Sequence, residues 1–413
     1  MSFSHHTLSN GLNLIGEISP SARSVALGFF VRTGSRDETL EVSGVSHFLE
    51  HMVFKGTPRR TALDVNCDFD RIGANYNAFT SEENTVFYAA VLPEYLPRAV
   101  DILADILRPS LRGEDFDVEK NVIIEEIGMY EDQPMWCAYD QAKKTYFDGH
   151  PLGNSVLGSV ESIRGLARDQ MHAYYDRRYV APNVALAVAG NFDWRECVEL
   201  VEKHCGGWPT GKAPRKGIRE APSREAFQVV AKNKVQQEHV FLISPAPPAN
   251  APLRHAADVL AMILGDDTGS RLHWALVDPG HADSADVSFH DYEGAGSFFT
   301  SLTCNPKQTQ KNLSILRGIF RQVQKDGVNA AELDQAKNKV LSRVVRASER
   351  PLGRMQALGM AWTYLGKYRS MDDELKAFQA VTLKKVRDVL DRYPFAEMTT
   401  LALGPLKKLR KPR

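Results

Sequence analysis

The chain has 413 residues, with 51 basic and 51 acidic side chains and a formal net charge of zero. Hydrophobic residues make up 43% and charged residues 25%, the mix of an ordinary globular protein. Such a length predicts more than one domain, and balanced charge excludes nucleic-acid or anionic-membrane binding driven by bulk electrostatics.

Gly11 to Ile15 and Val25 to Thr33 read as paired strands, the second dense in β-branched and aromatic residues. Helices are predicted from about Ser43 to Lys55 and from Ala62 to Ile72. A strand pair follows at Ala74 to Thr80 and Asn84 to Leu92, closed by Pro93. Helices near Glu94 to Leu107 and Asp115 to Tyr130 precede a looped helical stretch to about Tyr175, and a strand at Val184 to Ala189. Gly206 to Ser223, with Pro209, Pro214 and Pro222, has the composition of a linker.

Beyond it the pattern restarts. A strand near His239 to Ser244 and a helix near Leu253 to Leu264 lead through another strand and long helices to a last strand at Thr399 to Leu403. Two halves with one order of elements point to an internal duplication, divided as residues 1–212 and 213–413. No apolar stretch reaches the roughly 18 residues of a spanning helix, and Met1 to Asn10 shows neither a signal nor a transit pattern, so a cytoplasmic protein is expected. Cys67, Cys137, Cys197, Cys205 and Cys304 form no C-x-x-C pair and read as reduced. The basic run from Lys407 to Arg413 reads as a solvated tail.

His47-Phe48-Leu49-Glu50-His51 lies in the first predicted helix, with Ser43 as a candidate cap and Gly56 and Pro58 as stop signals. Val45, Phe48, Leu49, Met52 and Val53 share the apolar face, leaving His47, Glu50 and His51 on the other. Histidines at i and i+4 sit one above the other and can share one ion. Glu50, between them, can take a proton from an attacking water. This is the inverted H-x-x-E-H form of the metallopeptidase helix. Chance alone produces the five-residue pattern in on the order of one chain in a hundred.

Catalytic zinc takes three protein ligands and keeps one position open. The helix from Asp115 to Tyr130 and the residue after it offer Glu119, Glu125, Glu126 and Glu131. Glu119 and Glu126 share a face about 10.5 Å apart along the axis, while Glu125 points about 100° away. Spacing does not choose among these carboxylates, each of which also suits a solvated helix face.

The run from Gly44 to Thr57, GVSHFLEHMVFKGT, resembles the pitrilysin and mitochondrial-processing-peptidase family of inverted zincins in its short bacterial form. So do Asn77-Ala78-Phe79-Thr80-Ser81, the run from Glu119 to Ile127, His150-Pro151-Leu152-Gly153, and Tyr179, Pro182, Asn183 and Gly190. The likeness is dense to about residue 205 and thin but continuous after it. It implies an α+β fold of two duplicated domains, each a mostly antiparallel sheet with helices on one face. The halves would close like a clamshell, the second lacking zinc.

The resemblance implies a zinc metalloendopeptidase with one Zn²⁺ per chain, held by His47, His51 and Glu126. Glu50 is then the general base, and Glu119 joins the catalytic set as the acceptor behind a metal-bound histidine. Asn77, Ala78 and Phe79 would bind an unstructured peptide as an added strand.

One departure stands out. The family's complete enzymes carry an Arg and, seven residues on, a Tyr after a Ser-Arg-Leu segment. Ser270-Arg271-Leu272 is present, yet Val277 and Ser284 occupy the two positions. Arg271, His273 and His281 are nearby but at other offsets. The expected partners are therefore peptide substrates and a homologous second subunit that brings the Arg/Tyr pair. The alternatives are an autonomous homodimeric peptidase or a non-catalytic assembly subunit of the core-protein type. Neither nucleic acid nor membrane is expected as a partner.

Overall fold

The computed structural model describes residues 2–221 and 224–412. Pro222 and Ser223 of the expected linker, and Arg413 of the basic tail, lie outside the described residues.

Three strands open the chain, β1 (Ser2–Thr7), β2 (Asn13–Ile18) and β3 (Val25–Val31), followed by α1 (Val45–Val53) and α2 (Ala62–Arg71). A hairpin of β4 (Asn75–Thr80) and β5 (Thr85–Val91) leads into α3 (Leu96–Ile106) and α4 (Gly113–Glu131). Next come α5 (Pro134–Tyr146), α6 (Val160–Gly165), α7 (Arg168–Arg178), β6 (Val184–Gly190) and α8 (Trp194–Cys205). The second half begins with β7 (Ala226–Ala231), β8 (Glu238–Pro245), α9 (Arg254–Gly265), β9 (Ser284–Tyr292) and β10 (Ala295–Cys304). It ends with α10 (Thr309–Asp326), α11 (Ala330–Ser348), α12 (Pro351–Leu365), α13 (Met371–Gln379), α14 (Leu383–Arg392) and β11 (Thr399–Gly404). The most N-terminal strand, β1, was not foreseen: its polar Ser-His-His-Thr content carries little strand signal, and pairing with β2 holds it.

The first sheet runs β1-β2-β6-β3-β5-β4 and the second β7-β11-β8-β10-β9. Without the extra edge strand β1, each follows the order first, last, second, fourth, third strand of its half. The senses agree as well. The β2–β6 and β7–β11 pairs are parallel, and every other neighbouring pair is antiparallel. Two α+β halves thus share one topology, which is the fold class that the resemblance implies.

The chain divides into two compact units, and neither is contiguous. The first holds the residues up to Ile127, Asn154–Lys216 and Arg346–Arg369; the second holds Gly128–Gly153, Gly217–Val345 and the chain from Ser370 onward. A contiguous division at residues 212 and 213 differs from this by two exchanged segments. The reason is that each sheet has two apolar faces. In β3, Val25, Leu27, Phe29 and Val31 face the main helical layer, including Val45, Phe48 and Leu49 of α1. Ala26 and Phe30, pointing the other way, pack with Met355 and Leu358 of α12. The second sheet repeats this, with Val240 and Leu242 toward α9 and Phe241 and Ile243 against Ala138 and Ala142 of α5. Each sheet therefore carries one helix on its second face, beyond the expected single layer.

Candidate metal centre

The position of α1 follows from its apolar face and its N-terminus. Val45, Phe48, Leu49, Met52 and Val53 are all buried, and Phe48 stacks on Phe116 of α4 with ring centroids 4.9 Å apart. Gly44 precedes the helix at φ 91°, where a Cβ would lie 2.6 Å from the Leu157 carbonyl oxygen. Glu38 accepts from the backbone N–H groups of Gly44 (2.7 Å) and Ser46 (2.8 Å), closing the helix end with a carboxylate. Burial pushes the Glu38 carboxyl up to about 7 despite these bonds.

The Phe48–Phe116 stack sets α4 beside the face that carries His47 and His51. Glu126 Oε2 then lies 3.8 Å from His47 Nε2 and 3.5 Å from His51 Nε2. Among the described residues these three are the one group of His, Cys, Asp or Glu placed to share a metal ion, with candidate ligand atoms within 4.8 Å of one another. Three atoms around a tetrahedral ion at about 2.1 Å stand roughly 3.4 Å apart, so the spacing suits a shared ion better than hydrogen bonds. Glu126 Oε2 is buried and has no hydrogen-bond partner, as a ligand oxygen would be before its ion arrives. Two imidazoles and a carboxylate form a donor set suited to zinc. Glu125 and Glu131 are exposed and stand outside this group.

Behind the cluster, His51 Nδ1 lies 2.8 Å from Glu119 Oε1, and Lys55 Nζ lies 2.5 Å from Glu119 Oε2. Burial works against the Glu119 carboxylate, but the bonds from His51 and Lys55 outweigh it and hold the group below its ordinary value. A carboxylate only accepts, so His51 Nδ1 donates to Glu119, which orients the ring with Nε2 toward Glu126. Against burial, the surrounding carboxylates hold the His51 imidazole above its ordinary value. Burial, with His51 beside it, lowers His47 to about 3, so that imidazole is neutral and ready as a ligand.

Residues 14–160 match the family described as Insulinase (Peptidase family M16), and residues 165–340 match the Peptidase M16 inactive domain. An uncharacterized zinc protease of Mycobacterium tuberculosis is 33% identical over 405 residues, spanning 97% of this chain and 92% of that one. The uncharacterized zinc protease YmxG of Bacillus subtilis is 34% identical over 402 residues, spanning 96% and 97%. The chain belongs to peptidase family M16. In fold, it is similar to a protease from Helicobacter pylori (TM-score 0.92, 22% identity, 98% and 99% covered). It is also similar to a chain of complex III2 from Candida albicans (TM-score 0.87, 16% identity, 99% and 98% covered).

The part of this M16 chain matched to the peptidase domain also holds the general-base candidate. Burial raises the Glu50 carboxyl, opposed by a hydrogen bond from Thr80. Thr80 Oγ1 donates to Glu50 Oε2 at 2.6 Å, a contact that the sequence reading did not anticipate, although Thr80 sits in a recognisable motif. Lys55 and Glu38 were missed likewise. One turn of helix separates Lys55 from His51, a signal that was available; Glu38 acts through a loop, and no spacing announces it. Asn77, Ala78 and Phe79 lie on β4, the last strand of its sheet. Asn77 Oδ1 accepts from the N–H of Ala78, Ala78 is buried, and Phe79 is exposed rather than a core aromatic.

In the second unit, Val277 packs partly buried against the core and Ser284 opens β9. Arg271 is engaged, its Nε and Nη2 donating to Glu332 at 2.8 and 2.9 Å. His273 Nδ1 is buried without a partner, and His281 Nε2 lies 3.3 Å from Lys311 Nζ. Among the described residues, no helix is long and apolar enough to cross a membrane.

Proposed function

We propose that this chain is the zinc-bearing subunit of a metalloendopeptidase that hydrolyses unstructured peptides. His47, His51 and Glu126 are its ligands and Glu50 is its general base. The observation that carries the reading is the buried, unpartnered Glu126 Oε2 placed 3.5 and 3.8 Å from two imidazole Nε2 atoms. Zinc held there would supply Lewis acidity toward a water and the scissile carbonyl. Glu50 takes the proton of the attacking water and returns it to the leaving amine. Its raised affinity for protons suits that exchange at neutral pH. Glu119, pinned by Lys55, keeps the His51 ring oriented. The open edge of β4 at Asn77, Ala78 and Phe79 receives the peptide main chain as an added strand, which gives affinity with little sequence preference. Five free cysteines fit a reducing compartment such as the cytoplasm.

Glu50→Gln tests the assignment, since glutamine keeps size and hydrogen bonding but takes up no proton at neutral pH. Zinc content and melting temperature should match the parent while peptide hydrolysis falls by about 10²–10⁴. Substantial turnover in that variant would remove Glu50 from the base role. Chelation should abolish hydrolysis of the parent chain, and zinc should restore it.

A further inference from the structure

The bond between Thr80 and Glu50 assigns separate tasks to the two oxygens of one carboxylate. Thr80 is the last residue of β4 and pairs in register with Thr85, the first residue of β5. Its hydroxyl has one proton and two oxygens within reach. Glu50 Oε2 lies at 2.6 Å and Thr85 Oγ1 at 3.4 Å. Thr85 is buried, and its own proton goes to the carbonyl of Thr33 at 3.0 Å. A carboxylate oxygen only accepts, so the proton at 2.6 Å belongs to Thr80 and points at Oε2. No other group among the described residues bonds the Glu50 carboxylate, which leaves Oε1 open.

We propose that Thr80 is a positioning residue for Glu50, fixing Oε2 so that Oε1 alone takes the proton from water and later releases it. The inference rests on Glu50 being the general base. In the resting carboxylate, Thr80 donates to Oε2. When one water O–H bond breaks, its proton forms an Oε1–H bond, and Oε2 becomes the carbonyl oxygen of a neutral acid. That oxygen still accepts from Thr80. Passing the proton to the leaving nitrogen restores the carboxylate with Oε2 unmoved. The carboxyl plane is therefore held through both halves of the cycle, and no rotation about the Glu50 side chain intervenes between uptake and delivery. Because Thr80 ends the strand that carries Asn77, Ala78 and Phe79, the same contact ties the base to the proposed peptide-binding edge.

The test compares Thr80→Val, which removes the hydroxyl at nearly constant shape, with Thr80→Ser, which keeps it. Each is measured in the assembly that cleaves peptide, with Glu50→Gln and the double variant alongside. Zinc per chain and melting temperature are read in every sample. The expected result for Thr80→Val is normal zinc, a melting temperature within a few degrees of the parent, and an unchanged KM. Its kcat should fall about 10–100-fold, the loss typical of a misplaced catalytic group. Thr80→Ser should recover kcat to within about threefold. Adding Thr80→Val to Glu50→Gln should cost nothing further, because a residue that acts through Glu50 has nothing left to position. Parent-like kcat in Thr80→Val, beside an inactive Glu50→Gln, overturns the inference and leaves the base intact. Loss of zinc or of melting temperature in step with kcat also overturns it, as does an additive double variant. Robust turnover in Glu50→Gln overturns the base assignment instead, whatever Thr80 does.

Discussion

Three carboxylates on one helix have three different fates here, and burial with the right partner separates them. Glu126 is half-buried with an unpartnered oxygen, Glu119 is buried and held by His51 and Lys55, and Glu125 is exposed. Glu126→Gln should remove most of the zinc, Glu119→Gln should weaken binding about 10–100-fold, and Glu125→Gln should change nothing. Metal analysis showing full zinc in Glu126→Gln, with loss in Glu125→Gln, would refute this ranking. The histidine pair and Glu50 were legible because one helical turn fixes their relation. Which carboxylate joins the pair was not, since a seven-residue spacing puts Glu119 and Glu126 on one face and only tertiary packing sets their depth. A separate buried acid lies in the second unit. Glu238 has no exposed surface, its Oε1 lacks a partner, and burial pushes its carboxyl up to about 7. A carboxyl raised from about 4.5 is more protonated in the folded than in the unfolded chain between those values. Its contribution to stability is full below about 4.5 and declines as pH rises through about 7, by roughly 3 kcal/mol in all. Glu238→Gln, neutral throughout, should therefore raise the melting temperature at pH 8 relative to the parent and lose that advantage by pH 5. An equal shift at both pH values would show that Glu238 does not titrate in this range.

At the scale of elements, most helices and strands followed the sequence periodicity, but β7 as well as β1 went unread, and the two strands read as paired, β2 and β3, are separated by β6. The predicted Val184 to Ala189 and Thr399 to Leu403 strands are β6 and β11 within one residue at their ends. What local pattern did not reveal was which sheet a helix covers. α12 reads as a second-half helix, yet it packs on β3 and β6 of the first unit. Arg354 of α12 grips Glu17 of β2 through two bonds of 2.6 Å, and Tyr368 donates to the same carboxylate at 2.7 Å. These partners are more than three hundred residues apart, beyond any periodicity argument. The seam is tight at Gly359, where an added Cβ would lie 2.1–2.2 Å from ring atoms of Phe30. Phe30 is fully packed and has no room to yield, so Gly359→Ala should destabilise the chain by about 1–3 kcal/mol. Gly318, inside α10, has nothing within 4 Å of the same imagined atom. Gly318→Ala should stabilise by about 0.5–1 kcal/mol through helix propensity alone. Denaturant unfolding of the pair checks both signs, and a neutral Gly359→Ala would mean that α12 sits more loosely on β3 than the packing indicates.

At the scale of the whole molecule, the first half brings the candidate metal cluster together, and the second half lacks the Arg and Tyr that the resemblance implies. The cluster around His47, His51 and Glu126 meets the needs of metal binding, and Glu50 has Thr80 to hold it. Val277 and Ser284 stand where the resemblance calls for Arg and Tyr, and neither reaches or charges a substrate carbonyl as those side chains do. Arg271 is a poor stand-in, since its guanidinium is already committed to Glu332 and to the Gly327 carbonyl. Removing one preorganised donor to a developing oxyanion typically costs about 10²–10³ in rate, so the lack of two should leave a single chain nearly inactive. The purified chain with one equivalent of zinc is therefore expected to cleave unstructured peptides poorly. Adding a homologous subunit that carries the Arg/Tyr pair should raise kcat/KM by at least about 10² without changing zinc content. A non-catalytic assembly role predicts no activity with any partner, and a homodimeric peptidase predicts activity that grows with the concentration of this chain alone. Steady-state kinetics across a titration of the chain, with and without the partner, separate these outcomes. Vigorous cleavage by the lone chain at low concentration would end the two-subunit reading.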